Sequence, residues 1–205
     1  MSVKTIVNEK LRREDAEYRS FTVETRAVKN GEKEELYAEG RAIAFNEPTV
    51  LWEYDGVQYK EQVDERSLEE ADMTDVIFNY NHGGKVMART RNKTLELEIK
   101  KDGLYFRARL DGTEEGRRTY EEIKGGYIDR MSFRFVTRES AYDTENHMRT
   151  IRKIKKLYDI SAVDIPAYDT TSISARSFFE AVAEKERKAA EAAQLRKRLI
   201  LKTML

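Results

Sequence analysis

An imidazole, a hydroxyl and two carboxylates are the side chains of this sequence best suited to acid–base and nucleophilic chemistry. His82 follows the run Asp75-Val76-Ile77-Phe78-Asn79-Tyr80-Asn81 and precedes Gly83-Gly84. An imidazole at the end of a strand, beside glycine backbone that a ligand can approach closely, suits a general base. The same setting also suits a loop histidine bonded to a carbonyl. Ser132 lies in Ile128-Asp129-Arg130-Met131-Ser132-Phe133-Arg134-Phe135. In an extended chain Met131, Phe133 and Phe135 share one face, and Ser132 shares the other with Arg130 and Arg134. A hydroxyl between two guanidiniums is compatible with a nucleophile in an electropositive site. It is equally compatible with a serine on a wet sheet face. Asp159 and Asp164, in Leu157-Tyr158-Asp159-Ile160-Ser161-Ala162-Val163-Asp164, could each orient a catalytic histidine. Their odd spacing puts them on opposite faces of an ideal strand, so one of them at most points at a given site.

Composition removes several other chemistries. The 205 residues contain no cysteine, which excludes disulfides, thiolate nucleophiles and thiolate metal sites. The only histidines are His82 and His147, in unrelated contexts and without HExxH-like spacing, so neither a metal nor another cofactor is expected. Lysine plus arginine balances aspartate plus glutamate at 38 each, which gives no global argument for nucleic-acid binding. A local basic stripe, Arg149 to Lys156 with Tyr158 as a stacking ring, keeps that option open as a minor one. No run approaches the ~18 apolar residues of a membrane span, and the charged N-terminal stretch lacks a signal-peptide hydrophobic region. The chain reads as soluble and cytosolic.

The elements that would position these residues are mostly strands. Residues 1–18 read as a charged arm, mobile or bound to a partner. Arg19–Lys29 and Glu35–Phe45 are extended runs around an Asn30-Gly31 turn; Val50–Tyr54 and Val57–Val63 flank Asp55-Gly56. Ser67 with Glu70 has the form of a capping box, predicting a short helix from Leu68. Val76–Tyr80 and Val86–Ala88 bracket His82. Leu95–Lys100 and Leu104–Leu110 form a hairpin around Asp102-Gly103, and Thr113–Ile123 is a helix closed by Gly125-Gly126. Tyr127–Arg138 and Met148–Asp164 are long strand segments joined by a polar loop, Pro166 ends the second, and one long helix runs from Ser174. The expected fold is α+β: a mainly antiparallel barrel or sandwich, taken here as a β-barrel over residues 19–173, with peripheral helices and a C-terminal helical extension over 174–205.

In order along the chain, several pieces resemble the prohead (capsid-maturation) serine proteases of tailed bacteriophages, distant relatives of herpesvirus assemblin. They are Gly40-Arg41-Ala42-Ile43-Ala44-Phe45-Asn46, Phe78-Asn79-Tyr80-Asn81-His82, Arg89-Thr90, Asp102-Gly103-Leu104, Gly126 through Phe135, and Asp159 through Tyr168 with Thr171. The resemblance implies Ser132 as nucleophile, His82 as base and Asp159 as the orienting acid, with Asp164 as the fallback. It places backbone amides near Arg89 or Arg134 at the oxyanion. Two departures stand out: Asp159 where glutamate is commoner, and Arg134 where glycine is usual. The assemblin relatives use a second histidine as third member; His147 is the candidate here, ranked below both aspartates. The implied substrates are scaffold and major capsid subunits, and the implied setting is the assembling prohead in the host cytoplasm, with homo-oligomerisation and autocleavage of the helical arm. The contrasting class is a non-enzymatic capsid-assembly or scaffolding module in which Ser132 and His82 are bystanders.

Overall fold

The structure, a computed structural model, describes residues 3–7, 16–22, 24–30, 33–164 and 173–203. Gly31 of the first expected turn, Pro166 and the motif residues 165–172 lie outside the described residues. The elements in order are β1 (Val3–Val7), β2 (Glu17–Thr22), β3 (Glu24–Asn30), β4 (Lys33–Ala44), β5 (Thr49–Tyr54), β6 (Val57–Val63), β7 (Ile77–Tyr80) and β8 (Gly83–Arg89). Then come β9 (Leu95–Lys100), β10 (Gly103–Arg109), α1 (Glu114–Lys124), β11 (Arg130–Asp143), β12 (Met148–Val163) and α2 (Ile173–Thr203).

The strands make two sheets. One has eight strands built on the β11–β12 hairpin; the other has the order β3-β4-β10-β9. Among the described residues no ladder closes a barrel; the α+β class stands, and the strands form two sheets that share one core. Their shared core contains Ile43, Leu104 and Phe106 from the smaller sheet and Phe78, Met131, Phe133, Phe135 and Ile160 from the larger. Phe78 stacks on Phe106 across the interface at 6.1 Å. Two of the motif pieces noted in the sequence meet inside the smaller sheet, where Gly103 pairs with Ala44. A Cβ on Gly103 would stand 2.1 Å from the Ile43 carbonyl oxygen, so no larger residue fits there.

The β11–β12 hairpin is the spine, and its pattern of apolar residues is unusual for a strand. Ile151, Ile154, Leu157 and Ile160 recur every third residue, yet all are buried. An ideal strand would turn alternate members of that series to opposite faces. The pairing with β11 skips Arg152, Lys155 and Tyr158. Each is an extra residue of a β-bulge, and each restores the face of the next apolar side chain. The last of these bulges sits beside Asp159.

Flanking strands attach to the spine at two ends. At one end β2 pairs with Arg130–Phe135 of β11 and β7 with Asp159–Ala162 of β12. At the other, β1 pairs with Glu139–Asp143 and β6 with Met148–Ile151. The stretch read as a charged arm therefore contributes β1 and the start of β2. The helix expected from Leu68 is instead a series of turns. The Ser67 hydroxyl caps nothing, and the Ser67 carbonyl accepts from Ile154 of the bulged strand at 2.8 Å. That backbone group serves the sheet and is lost to a helix. α1 forms as expected, with the Thr113 side chain accepting from the Gly116 amide.

Candidate active site

The site end of the spine is built from strand alternation. Ser132 pairs directly with Ser161, and Ser161 with Asn79; one row along, Arg134 pairs with Tyr18 and Asp159, and Asp159 with Ile77. Directly paired residues share a face, so these side chains stand opposite to the core face of Phe133, Ile160 and Phe78. This second face is not wet. Ser132 is 1% exposed, Asp159 and Ser161 0% and Asn79 3%.

His82 enters through the β7–β8 turn. Tyr80 pairs with Gly83, leaving Asn81 and His82 as the loop, both with positive φ (46° and 56°). That is the form of a type I′ turn, in which the second central position usually takes glycine. The chain obeys that preference at Asp55-Gly56 but places histidine at residue 82. A left-handed residue with a side chain costs about 1–2 kcal/mol, so the surroundings must hold it. The Asn81 amide donates to the Ala162 carbonyl at 2.9 Å and the Asn81 side chain accepts from the Asp164 amide at 3.3 Å, tying the turn to the end of β12.

So held, the His82 ring meets a buried acid. Its Nδ1 lies 2.6 Å from Asp159 Oδ1, and the Tyr18 ring meets the imidazole in a T-shaped contact, 4.5 Å between centroids. An Nδ1–H donated to Asp159 leaves Nε2 as the acceptor of the neutral ring. The Ser161 hydroxyl donates to Asp159 Oδ1 at 2.8 Å, lies 3.1 Å from His82 Nδ1 and contacts the Asn79 amide. On the other side of the carboxylate, the Arg134 guanidinium stands 2.6 Å from Asp159 Oδ2. The Ser132 hydroxyl has no hydrogen-bond partner. Buried polar groups are nearly always paired, so this hydroxyl is an exception, as is that of Ser67.

A family profile described as caudovirus prohead serine protease matches residues 21–185. The chain belongs to the caudovirus prohead serine protease family. Among solved structures it is similar to the bacteriophage T4 capsid assembly protease, gp21, at 20% identity with a TM-score of 0.42, over 73% of this chain and 99% of that one. No curated protein sequence matches the chain.

The prohead protease brings together some of the residues expected at its site and keeps others apart. Ser132, His82, Asp159 and Arg134 share one face. Asp164 is turned away, with Oδ2 accepting from the Tyr80 hydroxyl at 3.2 Å. Arg89 shares the row of Asp159 through Ile77, but its guanidinium is engaged by Asp75 at 2.6 and 3.0 Å and its amide donates to Thr94 Oγ1 at 2.9 Å. Those hydrogen bonds hold the Asp75 carboxyl below the usual range. Arg134 sits in a central strand between β2 and β12, where its amide belongs to the ladder. Both guanidiniums are engaged by carboxylates, Arg89 by Asp75 and Arg134 by Asp159. His147 closes the far end of the hairpin, with Nδ1 3.3 Å from Glu186 of α2.

Four of the five cations of the basic stripe are matched by acids, and Lys155 is exposed. Arg149 is buried between Glu17 and Glu61, Arg152 lies 3.9 Å from Glu139, Lys153 pairs with Glu70 at 3.0 Å and Lys156 with Asp72 at 2.6 Å. Cations so matched leave little positive field for a phosphate backbone. The described residues include no cluster of histidine and carboxylate able to hold a metal ion, and no helix long and apolar enough to cross a membrane.

Sequence reasoning missed Asn79, Ser161 and Tyr18 as members of the site. Ser161 was within reach, since it follows Asp159 by two residues and so shares its face in any strand. Tyr18 was not, because its place depends on which strand covers β11.

Proposed function

We propose that this prohead protease is a serine endopeptidase in which Ser132 is the nucleophile, His82 the general base and Asp159 the acid that orients it. The observation that carries the reading is the 2.6 Å contact of His82 Nδ1 with buried Asp159 on the face that also holds the orphan hydroxyl of Ser132. Ser132 Oγ attacks the scissile carbonyl carbon while its proton passes to His82 Nε2. The same proton then goes to the leaving amine as the C–N bond breaks, and water takes the place of the amine to release the acyl group. Asp159 keeps Nδ1 protonated and stabilises the imidazolium. Apo sites often lack the nucleophile–base hydrogen bond, which forms around bound substrate.

The substrates of this reading are scaffold and major capsid subunits inside the prohead, with the chain itself as a further substrate at its helical arm. Every described residue of α2 from 187 to 200 is exposed, which supports an outer segment used for packaging or pairing and removable by cleavage. Arg134, standing where the family pattern has glycine, favours the competing reading, a scaffolding module.

Co-expression with the cognate scaffold–capsid precursor, wild type against Ser132→Ala, separates the two. Intact-mass spectrometry should find discrete fragments with wild type that vanish in the variant. Uncut precursor in both, with normal shells assembled, would establish the scaffolding reading instead.

A further inference from the structure

Arg134 stands where an oxyanion donor was expected, yet its guanidinium is aimed at the carboxylate behind the base. Its end nitrogen is 2.6 Å from Asp159 Oδ2, while His82 and Ser161 share Oδ1. The bulge at Tyr158 places an aromatic ring under the same guanidinium at 5.5 Å, and Asp159 follows it directly. With Asp159 0% and the Arg134 side chain 11% exposed, water screens this pair weakly. A carboxylate shared with a permanent cation gives less stabilisation to an imidazolium than one facing histidine alone.

We propose that Arg134 is a positioning residue of the prohead protease: it clamps Asp159 from the side opposite Ser161 and lets His82 act as a base at lower pH than an unshared carboxylate would. This rests on the reading of His82 as the base. Chemically the arrangement fits an aspartate in the acid's place, because the shorter side chain is drawn into line from both oxygens. Among the described residues, the groups that bear on His82 are Tyr18 of β2, Arg134 of β11, Asp159 and Ser161 of β12, Asn79 of β7, and the mutually paired Asp75 and Arg89 one strand further out. Of the charged ones, Arg89 is matched by Asp75. That leaves Asp159 and Arg134 to set the field at the ring.

The test compares wild type, Arg134→Met, Arg134→Lys and Ser161→Ala in two measurements. The first is the rate of labelling by diisopropyl fluorophosphate against pH. Arg134→Met should move the acid limb of that profile up by about one pH unit, Arg134→Lys should restore it, and Ser161→Ala should slow labelling without moving the limb, since it removes a neutral contact. The second is the pH titration of the histidine ring signals by NMR, with His147→Gln used to assign the two rings. It reads the Arg134 effect on His82 even if Ser132 is never labelled, so failure of the catalytic reading and failure of this inference give different results. An acid limb and a His82 titration that stay in place, or move down, in Arg134→Met would overturn the proposal. If that variant does not fold, Arg134→Gln against Arg134→Lys gives the same comparison.

Discussion

The two histidines of the chain occupy closely similar local settings at opposite ends of one hairpin. Both have positive φ, 56° at His82 and 49° at His147. Both bring Nδ1 to a carboxylate, Asp159 at 2.6 Å and Glu186 at 3.3 Å, and both pack beside a tyrosine ring, Tyr18 at 4.5 Å and Tyr59 at 5.3 Å. The difference lies in what stands next to the pair. Beside His82 and its fully buried acid are Ser161 and the unpartnered Ser132 hydroxyl. Beside His147 are the Tyr142 hydroxyl and the docked helix α2, where Phe179 is buried against Tyr59. Burial first, and then the charge of Glu186, push the Tyr142 phenol well above its ordinary range, so it stays a donor. A histidine–carboxylate pair in a turn is thus no signature of catalysis by itself. What sets the His82 end apart is the Ser132 hydroxyl, opposite Ser161 and without a hydrogen-bond partner.

The sharpest way to break this comparison is to neutralise each ring. His82→Gln should cut cleavage of the scaffold–capsid precursor by ~10³-fold or more, measured as the rate of product formation by mass spectrometry, with the thermal unfolding temperature little changed. Equal loss from His147→Gln would show that the two ends are not distinct.

Next in size is the support behind the His82 ring. Along β2, Glu17 and Arg19 point to the core face while Tyr18 between them meets His82. Glu17 and Glu61 interleave with Arg19 and Arg149 in a buried cluster of alternating charge that anchors this strand. Burial pushes the Glu17 carboxyl up. The Arg149 and Arg19 charges, with hydrogen bonds from Arg149 and Thr137, more than reverse this and hold it at about 2, against an ordinary 4.5. A depressed carboxyl contributes stability that is present above its unfolded value and lost as pH falls through the folded one. Denaturation measured from pH 4.5 down to 2 should therefore show progressive loss of stability. Arg149→Met, which leaves buried carboxylates short of a partner, should cost about 3–5 kcal/mol near neutrality and flatten that acid dependence. Unchanged stability would mean that β2 is anchored by the ladder alone.

Smaller effects are expected at the other end. Phe179→Ala should cost about 3 kcal/mol by urea unfolding while sparing the labelling of Ser132. Truncation just before Ala175 should behave in the same way or worse, because it removes Phe178 and Phe179 from their contacts. Truncation after Arg187 should cost under about 0.5 kcal/mol, since the residues beyond it are exposed. His147→Gln should be the mildest, loosening only the contact with Glu186 and leaving cleavage at the wild-type rate.

Period-two patterning by itself places Ser132 with Arg134, and Asp159 on a different face from Asp164, because side-chain direction in a strand is a local property. Turn chemistry likewise marked the hairpin at Asp55-Gly56; between β9 and β10 the turn is Lys101-Asp102, one residue before the expected Asp102-Gly103, because Gly103 pairs with Lys100 as the first residue of β10. The apolar run toward Tyr80, ending just before His82, was legible for the same reason. Three things were not. The bulges at Arg152, Lys155 and Tyr158, which carry Asp159 to the site, arise only from register against β11. The turns over Ser67 to Ala71 replace a helix because β12 claims the Ser67 carbonyl. Finally, Glu17 and Arg149, 132 residues apart, form one cluster with Glu61 and Arg19. Propensity and alternation are written into neighbouring residues, whereas register, burial and the partner of a charge depend on which distant strand arrives alongside; for this protein that second set of choices decided where His82, Asp159 and Ser132 lie.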